Sequence, residues 1–281
     1  MTGFAKSITR IVSLTACAAL LFATAACGTA TAADGATGGE AWTESSSELA
    51  RVKNAGKLVF ATEGTYAPYN YHDKDSGELT GFDVDIAKAV AEKIGVKAEF
   101  AEGNFDGLLA GVDAGKYDTV ADQISATDER KAKYDFTDPY TYSYGVVVAN
   151  KNNTAVKSFD DVKGLRSAQT GTSNWNQIAQ EKGAEIVQVG DFGQSVVALE
   201  TGRADISFND GLSVLDYIKQ HPDTTIRIAA KSEKTPSAQF PFRKGSDDLV
   251  KEIDKAIAAL QKDGTFTKIS EKYFGEDFTQ K

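Results

Sequence analysis

The feature that most restricts what this chain can fold into is a regular exchange of short apolar runs with segments of helical periodicity. Residues 58–61 form an apolar run fit for a buried strand. Phe82, Ile86, Val90 and Ile94 then recur every fourth residue and stop at Gly95, an amphipathic helix with a C-terminal glycine. A strand over 98–101, a helix marked by Phe105, Leu108, Leu109 and Val112 and closed by Gly115, and a strand over 119–122 follow. The series then restarts: strands over 165–169, 186–189, 206–208 and 226–229, with helices over 174–182, around Val196 and Leu199, and over 212–220. A long helix carrying Leu249, Ile253, Ile257 and Leu260 and a short one over 266–273 end the pattern. Such alternation predicts an α/β fold with largely parallel sheets.

The two series share a short echo. Leu109 to Asp118 and Val197 to Asp205 both read as a helix end, a glycine, a basic residue, any residue, then Asp before a strand. Five residues past each Asp stand Gln123 and Asp210. The echo is read either as a common helix–turn–strand unit met twice, or as two similar lobes. In the second case each lobe presents a polar residue at the C-terminal end of a strand, where open α/β sheets bind ligands.

Across 281 residues, 41% are apolar and the net charge is -9, with acids and bases interspersed. No basic patch is present, and phosphates demand clustered Lys and Arg, so nucleic-acid binding is set aside. The N-terminus differs from the rest. Lys6 and Arg10 precede an apolar stretch of 16 residues, Ile11 to Ala26, that ends in Thr24-Ala25-Ala26-Cys27. A positive flank, an apolar centre shorter than the roughly 20 residues of a bilayer span, and small residues at the cut site predict an export signal over 1–26. Cys27 stands where a lipoprotein signal places its lipidated cysteine, although Thr24 occupies a position usually held by Leu. Residues 27–46, rich in Ala, Thr, Gly and Ser, predict a flexible tether. Removal of the signal would leave Cys27 as the sole cysteine, so neither a disulfide nor a cysteine metal site is expected.

One stretch carries a more specific pattern. Ala121-Asp122-Gln123-Ile124-Ser125-Ala126-Thr127-Asp128-Glu129-Arg130, followed by Phe136-Thr137-Asp138-Pro139-Tyr140, resembles the polar amino acid family (family 3) of extracellular solute-binding proteins. Thr65-Tyr66-Ala67-Pro68-Tyr69, Gly81-Phe82-Asp83-Val84-Asp85, Gly202-Arg203-Ala204-Asp205 and Glu271-Lys272-Tyr273-Phe274-Gly275 extend the resemblance from about Leu58 to Phe278. Gln123 and Glu63-Gly64-Thr65-Tyr66 look like the cystine-binding branch, from which Asp122 departs by replacing Asn. The resemblance implies a two-lobed, type II periplasmic-binding-protein-like fold with two crossover hinges. We place lobe 1 at 47–146 plus 241–281, lobe 2 at 147–240, and the crossovers at Val146-Val147-Val148 and Phe240-Pro241-Phe242.

A free amino acid brings a carboxylate and an ammonium, and burying either without a partner is costly. Arg130 suits the carboxylate, since its planar fork pairs with two oxygens; read without the resemblance, it is a solvated helix residue beside Asp128 and Glu129. Ser125 is a short hydroxyl within reach of either group. The resemblance implies Thr172, at the head of a helix, as a second carboxylate clamp, and Asp210 as the ammonium partner; N-capping and turn formation are their plainer readings. Tyr66 and Phe105 match positions of rings around the ligand side chain, Gln123 would add an amide, and Glu63 either hydrogen-bonds near the cleft or simply ends its strand; with Asp122 it is the feature that favours a basic ligand.

Enzymes occur on this fold, including dehydratases of cyclohexadienyl acids. His72 and His221, the two histidines, sit in polar, turn-like settings without triad or metal-ligand spacing, so no catalysis is expected. The resemblance implies closure of the lobes on the amino acid and delivery to the permease and ATPase of an ABC importer. We expect a monomer without metal or cofactor, held to the membrane by its lipid anchor. Cystine ranks first as ligand, glutamine or another uncharged polar amino acid second and basic amino acids third.

Overall fold

The computed structural model describes residues 47–281, so the expected export signal, Cys27 and the tether lie outside the described residues. Ser47 opens helix α1 (Glu48–Ala55) by accepting a hydrogen bond from the Ala50 amide. Strand β1 (Lys57–Thr62) follows, then a small antiparallel meander of β2 (Thr65–Tyr66), β3 (Asn70–His72) and β4 (Leu79–Thr80). Helix α2 (Phe82–Lys93) buries the expected stripe of Phe82, Ile86 and Val90. Its first turn carries Asp83 and Asp85, where the helix dipole favours acids. Gly81 before it admits no side chain: at φ 131° a Cβ would stand 2.2 Å from the Tyr69 carbonyl oxygen. Strand β5 (Lys97–Glu102), helix α3 (Phe105–Asp113) and strand β6 (Thr119–Val120) complete a parallel sheet of order β5-β1-β6.

Helix α4 (Asp128–Lys133) and strand β7 (Tyr134–Phe136) lead into the long strand β8 (Thr141–Asn150). A second unit follows: β9 (Arg166–Gln169), α5 (Asn174–Glu181), β10 (Glu185–Gln188), α6 (Phe192–Glu200), β11 (Ile206–Asp210), α7 (Gly211–Gln220) and β12 (Ile226–Ala238). Its sheet has the order β10-β9-β11-β8-β12, with β9, β10 and β11 parallel and β8 antiparallel to both neighbours. Strand β13 (Pro241–Arg243) then returns to pair with β7. Helices α8 (Asp247–Lys262) and α9 (Thr265–Phe274) pack against α2.

The sequence echo has a structural counterpart. Asp118 accepts a hydrogen bond from the Val59 amide of β1 at 2.7 Å, and Asp205 one from the Arg166 amide of β9 at 2.9 Å. Each acid therefore ties the strand it precedes to the neighbouring strand. Asp210 is the last residue of β11, and Gln123 lies three residues past the end of β6.

The crossovers lie away from their expected place at one point. Val146, Val147 and Val148 are fully buried in the middle of β8, where they pair with β11 and β12. The chain passes between the sheets at 137–140 and 239–240. There the Thr137 amide donates to the Phe240 carbonyl at 3.1 Å and the Phe240 amide to the Thr137 hydroxyl at 3.0 Å. The Tyr140 and Phe240 rings stack at 4.5 Å, which holds the two connections side by side. A run of three valines reads the same in a connection and in a strand buried on both faces.

Candidate functional site

The strand ends converge on one cleft. Tyr66, Phe105, Gln123, Ser125 and Asp210, five of the seven expected ligand residues, line a cleft of about 600 Å³, solvent mouth included. Arg130 and Thr172 line the adjoining cavity, which shares Ser173 and Asn174 with the first. Trp175, Phe192 and Asn209 also line the cleft. The first two open helices α5 and α6 just after the caps Ser173 and Asp191. An aromatic residue in the first turn after a capped strand end was their only signal in the sequence.

Contacts across the cleft join the two lobes. The Tyr66 hydroxyl donates to Asn209 Oδ1 at 2.6 Å, and the Tyr69 hydroxyl to Asp210 Oδ1 at 2.5 Å. The Ser213 hydroxyl donates to the Ala67 carbonyl at 2.9 Å. Asp210 also caps α7 by accepting from the Leu212 amide at 2.8 Å, so its capping and cleft positions coexist. Burial pushes the Asp210 carboxyl up, while the Tyr69 hydroxyl and the Leu212 amide hold it down.

Arg130 is 7% exposed and makes no ion pair among the described residues. It donates to the Ser125 carbonyl at 3.0 Å and across the cleft to the Thr172 carbonyl at 2.9 Å. Burial lowers its pKa, against the opposing charge of Glu129, and a guanidinium remains a cation throughout. Thr172 is engaged from within the protein. Its amide and hydroxyl donate to Asp106 Oδ1, both at 2.8 Å, and the Gly171 amide donates to Asp106 Oδ2 at 3.1 Å. An internal carboxylate thus takes the donors expected to face a ligand carboxylate.

Gln123 has φ 48°, the only non-glycine residue at positive φ among the described residues. Asp83, at the N-terminus of α2, accepts from its backbone amide at 2.8 Å and from Nε2 at 2.7 Å. The amide nitrogen expected to meet a ligand side chain is therefore bound to Asp83. Burial pushes Asp83 up to about 7, with the hydrogen bonds from Gln123 opposing it.

Two further acids line the cleft, Glu63 and Asp122. Asn70 ties Asp122 to the backbone just after Glu63, donating from Nδ2 to Asp122 Oδ1 at 2.6 Å and accepting from the Gly64 amide at 2.9 Å. Burial, followed by the charges of Asp191 and Asp106, pushes Glu63 up to about 8. Burial and the charge of Glu63 push Asp122 up as well. The cleft thus presents three carboxyl groups and no Lys, Arg or His side chain, an environment complementary to an ammonium. Both histidines lie elsewhere: His72 bonds Glu102 at 2.9 Å and His221 stacks on Tyr217 at 4.1 Å. Among the described residues no group of His, Cys, Asp and Glu is arranged to hold a metal, and no helix is long and apolar enough to cross a membrane.

Two α/β lobes joined by paired connections and closed over a polar cleft define a solute-binding protein of the type II periplasmic fold. The family description that matches residues 58–276 is that of the bacterial extracellular solute-binding proteins, family 3, and the chain belongs to that family. A probable amino-acid ABC transporter-binding protein of Haemophilus influenzae is 46% identical, covering 82% of this chain and 89% of that one. The L-cystine-binding protein TcyA of Bacillus subtilis is 42% identical, over 92% of this chain and 94% of its own length. Among solved structures, an ancestral arginine-binding protein bound to arginine superposes with a TM-score of 0.73 at 36% identity, covering 78% of this chain and 99% of that one.

Proposed function

We propose that this protein captures a free L-amino acid, cystine foremost, by closing its lobes, and delivers it to an ABC importer without transforming it. The observation that carries this reading is the pairing of an acid-lined cleft with a buried Arg130 that lacks a carboxylate partner. The lobes part at the connections 137–140 and 239–240. Asp210 receives the α-ammonium, Arg130 and Ser125 the α-carboxylate, and Thr172 joins them where the ligand displaces Asp106. Tyr66 and Phe105 pack on the side chain, and aromatic rings favour the sulfurs of cystine. Likeness to TcyA supports the same ligand. Contacts between lobes made only in the closed form would shift the hinge equilibrium toward the liganded state.

Glutamine ranks below its place in the sequence reading, because the Gln123 amide nitrogen is already bound to Asp83. A basic amino acid becomes the second reading, favoured by the three acids of the cleft. Calorimetry on the processed protein with cystine, glutamine, histidine and arginine separates these cases. Cystine is expected to bind at micromolar or lower concentration; a glutamine signal with no cystine signal would overturn the ligand assignment.

Anchoring rests on Cys27, at the end of the export signal. Cys27→Ser is expected to abolish metabolic lipid labelling and release the protein to the medium or leave it unprocessed, whereas Cys17→Ser, within the apolar stretch that would leave with the signal, changes little. Equal lipid labelling of the wild type and Cys27→Ser would remove the anchor.

A further inference from the structure

We infer, on the amino acid reading of the cleft, that Asp83 is a positioning residue for its carboxylate end. By gripping Gln123 through both main chain and side chain, it holds the segment after β6 in the turn that brings Ser125 to Arg130.

Asp83 is fully buried and lines neither the cleft nor the adjoining cavity that Arg130 lines. As an acid in the first turn of α2 it would ordinarily be credited to the helix dipole. Asp85 fits that description better. It stands partly exposed in the same turn and accepts from Lys272 Nζ at 2.7 Å and from the Tyr273 hydroxyl at 2.8 Å. The oxygens of Asp83 both go to one distant residue. Oδ2 accepts from the Gln123 backbone amide at 2.8 Å and Oδ1 from Gln123 Nε2 at 2.7 Å. The same Nε2 lies 3.4 Å from Thr141 Oγ1 at the head of β8. A carboxyl group that accepts from the amide and the side chain of one residue restrains its backbone and its rotamer together.

Gln123 needs that restraint. At φ 48° it lies in the left-handed region, which glycine enters freely and a residue with a Cβ does not. Before it the chain still follows the sheet, with the Ala121 amide donating to the Ala61 carbonyl at 2.9 Å. After it the chain turns off. The Ile124 carbonyl accepts from the Gln239 amide of the second connection at 3.0 Å. The Ser125 carbonyl accepts from the Thr127 amide and from Arg130 Nη1, both at 3.0 Å. Relaxing Gln123 to negative φ would swing residues 124 and 125 away from these partners. Asp83 is itself fixed, since its amide donates to the Tyr69 carbonyl at 2.9 Å. Support for the guanidinium therefore runs from α2 through Asp83 and Gln123 to Ser125.

The test is calorimetric titration of full-length variants with L-cystine, L-arginine and L-glutamine, with urea unfolding of each variant alongside. Asp83→Ala is expected to bind the amino acid that the wild type takes about tenfold more weakly or worse. In a Gln123→Gly background, where glycine takes the left-handed turn unaided, the same change is expected to cost less than about threefold. A loss of packing alone would be equal in the two backgrounds. Equal losses in both, or no loss in either, would overturn the inference. A second pair of variants keeps the test independent of whether Asp83→Ala folds. Gln123→Glu sets two carboxyl groups face to face and is expected to weaken binding about tenfold. Adding Asp83→Asn restores it, because the new amide donates to the new carboxylate while its oxygen still accepts from the backbone. Binding that stays weak in this double variant also overturns the inference. Either failure in a chain whose wild type binds an amino acid leaves amino acid capture standing, whereas a wild type that binds none of the three removes both.

Discussion

Replacing Arg130 with alanine is expected to weaken ligand binding by more than a hundredfold while leaving the fold intact. The guanidinium is buried and already withdrawn from water, yet its hydrogen-bond partners are the carbonyls of Ser125 and Thr172 rather than an acid. A ligand carboxylate would supply the missing opposite charge in a bidentate geometry that a carbonyl does not match. Losing one partner of such a buried pair costs about 3–5 kcal/mol, and each 1.4 kcal/mol is roughly tenfold in affinity. The empty protein should tolerate the change, because alanine removes a desolvated cation together with its two carbonyl contacts. Arg130→Lys keeps the charge without the fork and should fall between wild type and alanine. Calorimetry on the three proteins, with a thermal melt of each, checks this. An alanine variant that titrates like the wild type would withdraw Arg130 from the site.

Phe82→Ala should have the largest effect on stability. Phe82 is fully buried as the first residue of α2. Its ring packs on Phe274 at 5.1 Å, on Tyr69 at 6.2 Å and on Tyr140 at 6.4 Å. Truncating a buried Phe loses its transfer free energy and leaves a cavity, together about 3–5 kcal/mol. The surroundings have little room to collapse, because Gly81 already lies against the Tyr69 backbone. The same substitution should also lower affinity. Tyr69 carries the hydrogen bond to Asp210, and the next residue, Asp83, holds Gln123. Urea unfolding measures the first effect and calorimetry the second. A loss of less than about 1 kcal/mol, the range of a tolerated core substitution, would show that α2 is not anchored as described.

Much of the fold was legible because its signals are local. The four-residue recurrence from Phe82 to Ile94 and the glycines that close helices are properties of short windows, and they reappear as α2 and its neighbours. The echo of Gly, a basic residue, any residue and Asp was legible for the same reason, and Asp118 and Asp205 do equivalent work on β1 and β9. The connection between lobes was misplaced at Val146-Val147-Val148 because apolarity reports burial, and both a buried strand and a packed connection are buried.

By itself, the sequence determined the α/β order, the motif that places this chain in its family and the residue types gathered at the strand ends. The tertiary structure decided which of those residues meet. Asp106 takes the donors of Thr172 from 66 positions away, Asp83 takes Gln123 from 40, and Tyr69 reaches Asp210 from 141. It also decided that Glu63 and Asp122 are buried together at one cleft, where burial and then the charges of neighbouring acids raise both carboxyls. The physical reason is that hydrogen-bond partners, desolvation and charge proximity depend on distance in space. Local periodicity in a sequence encodes secondary structure and says little about which ends of which strands come to face one another.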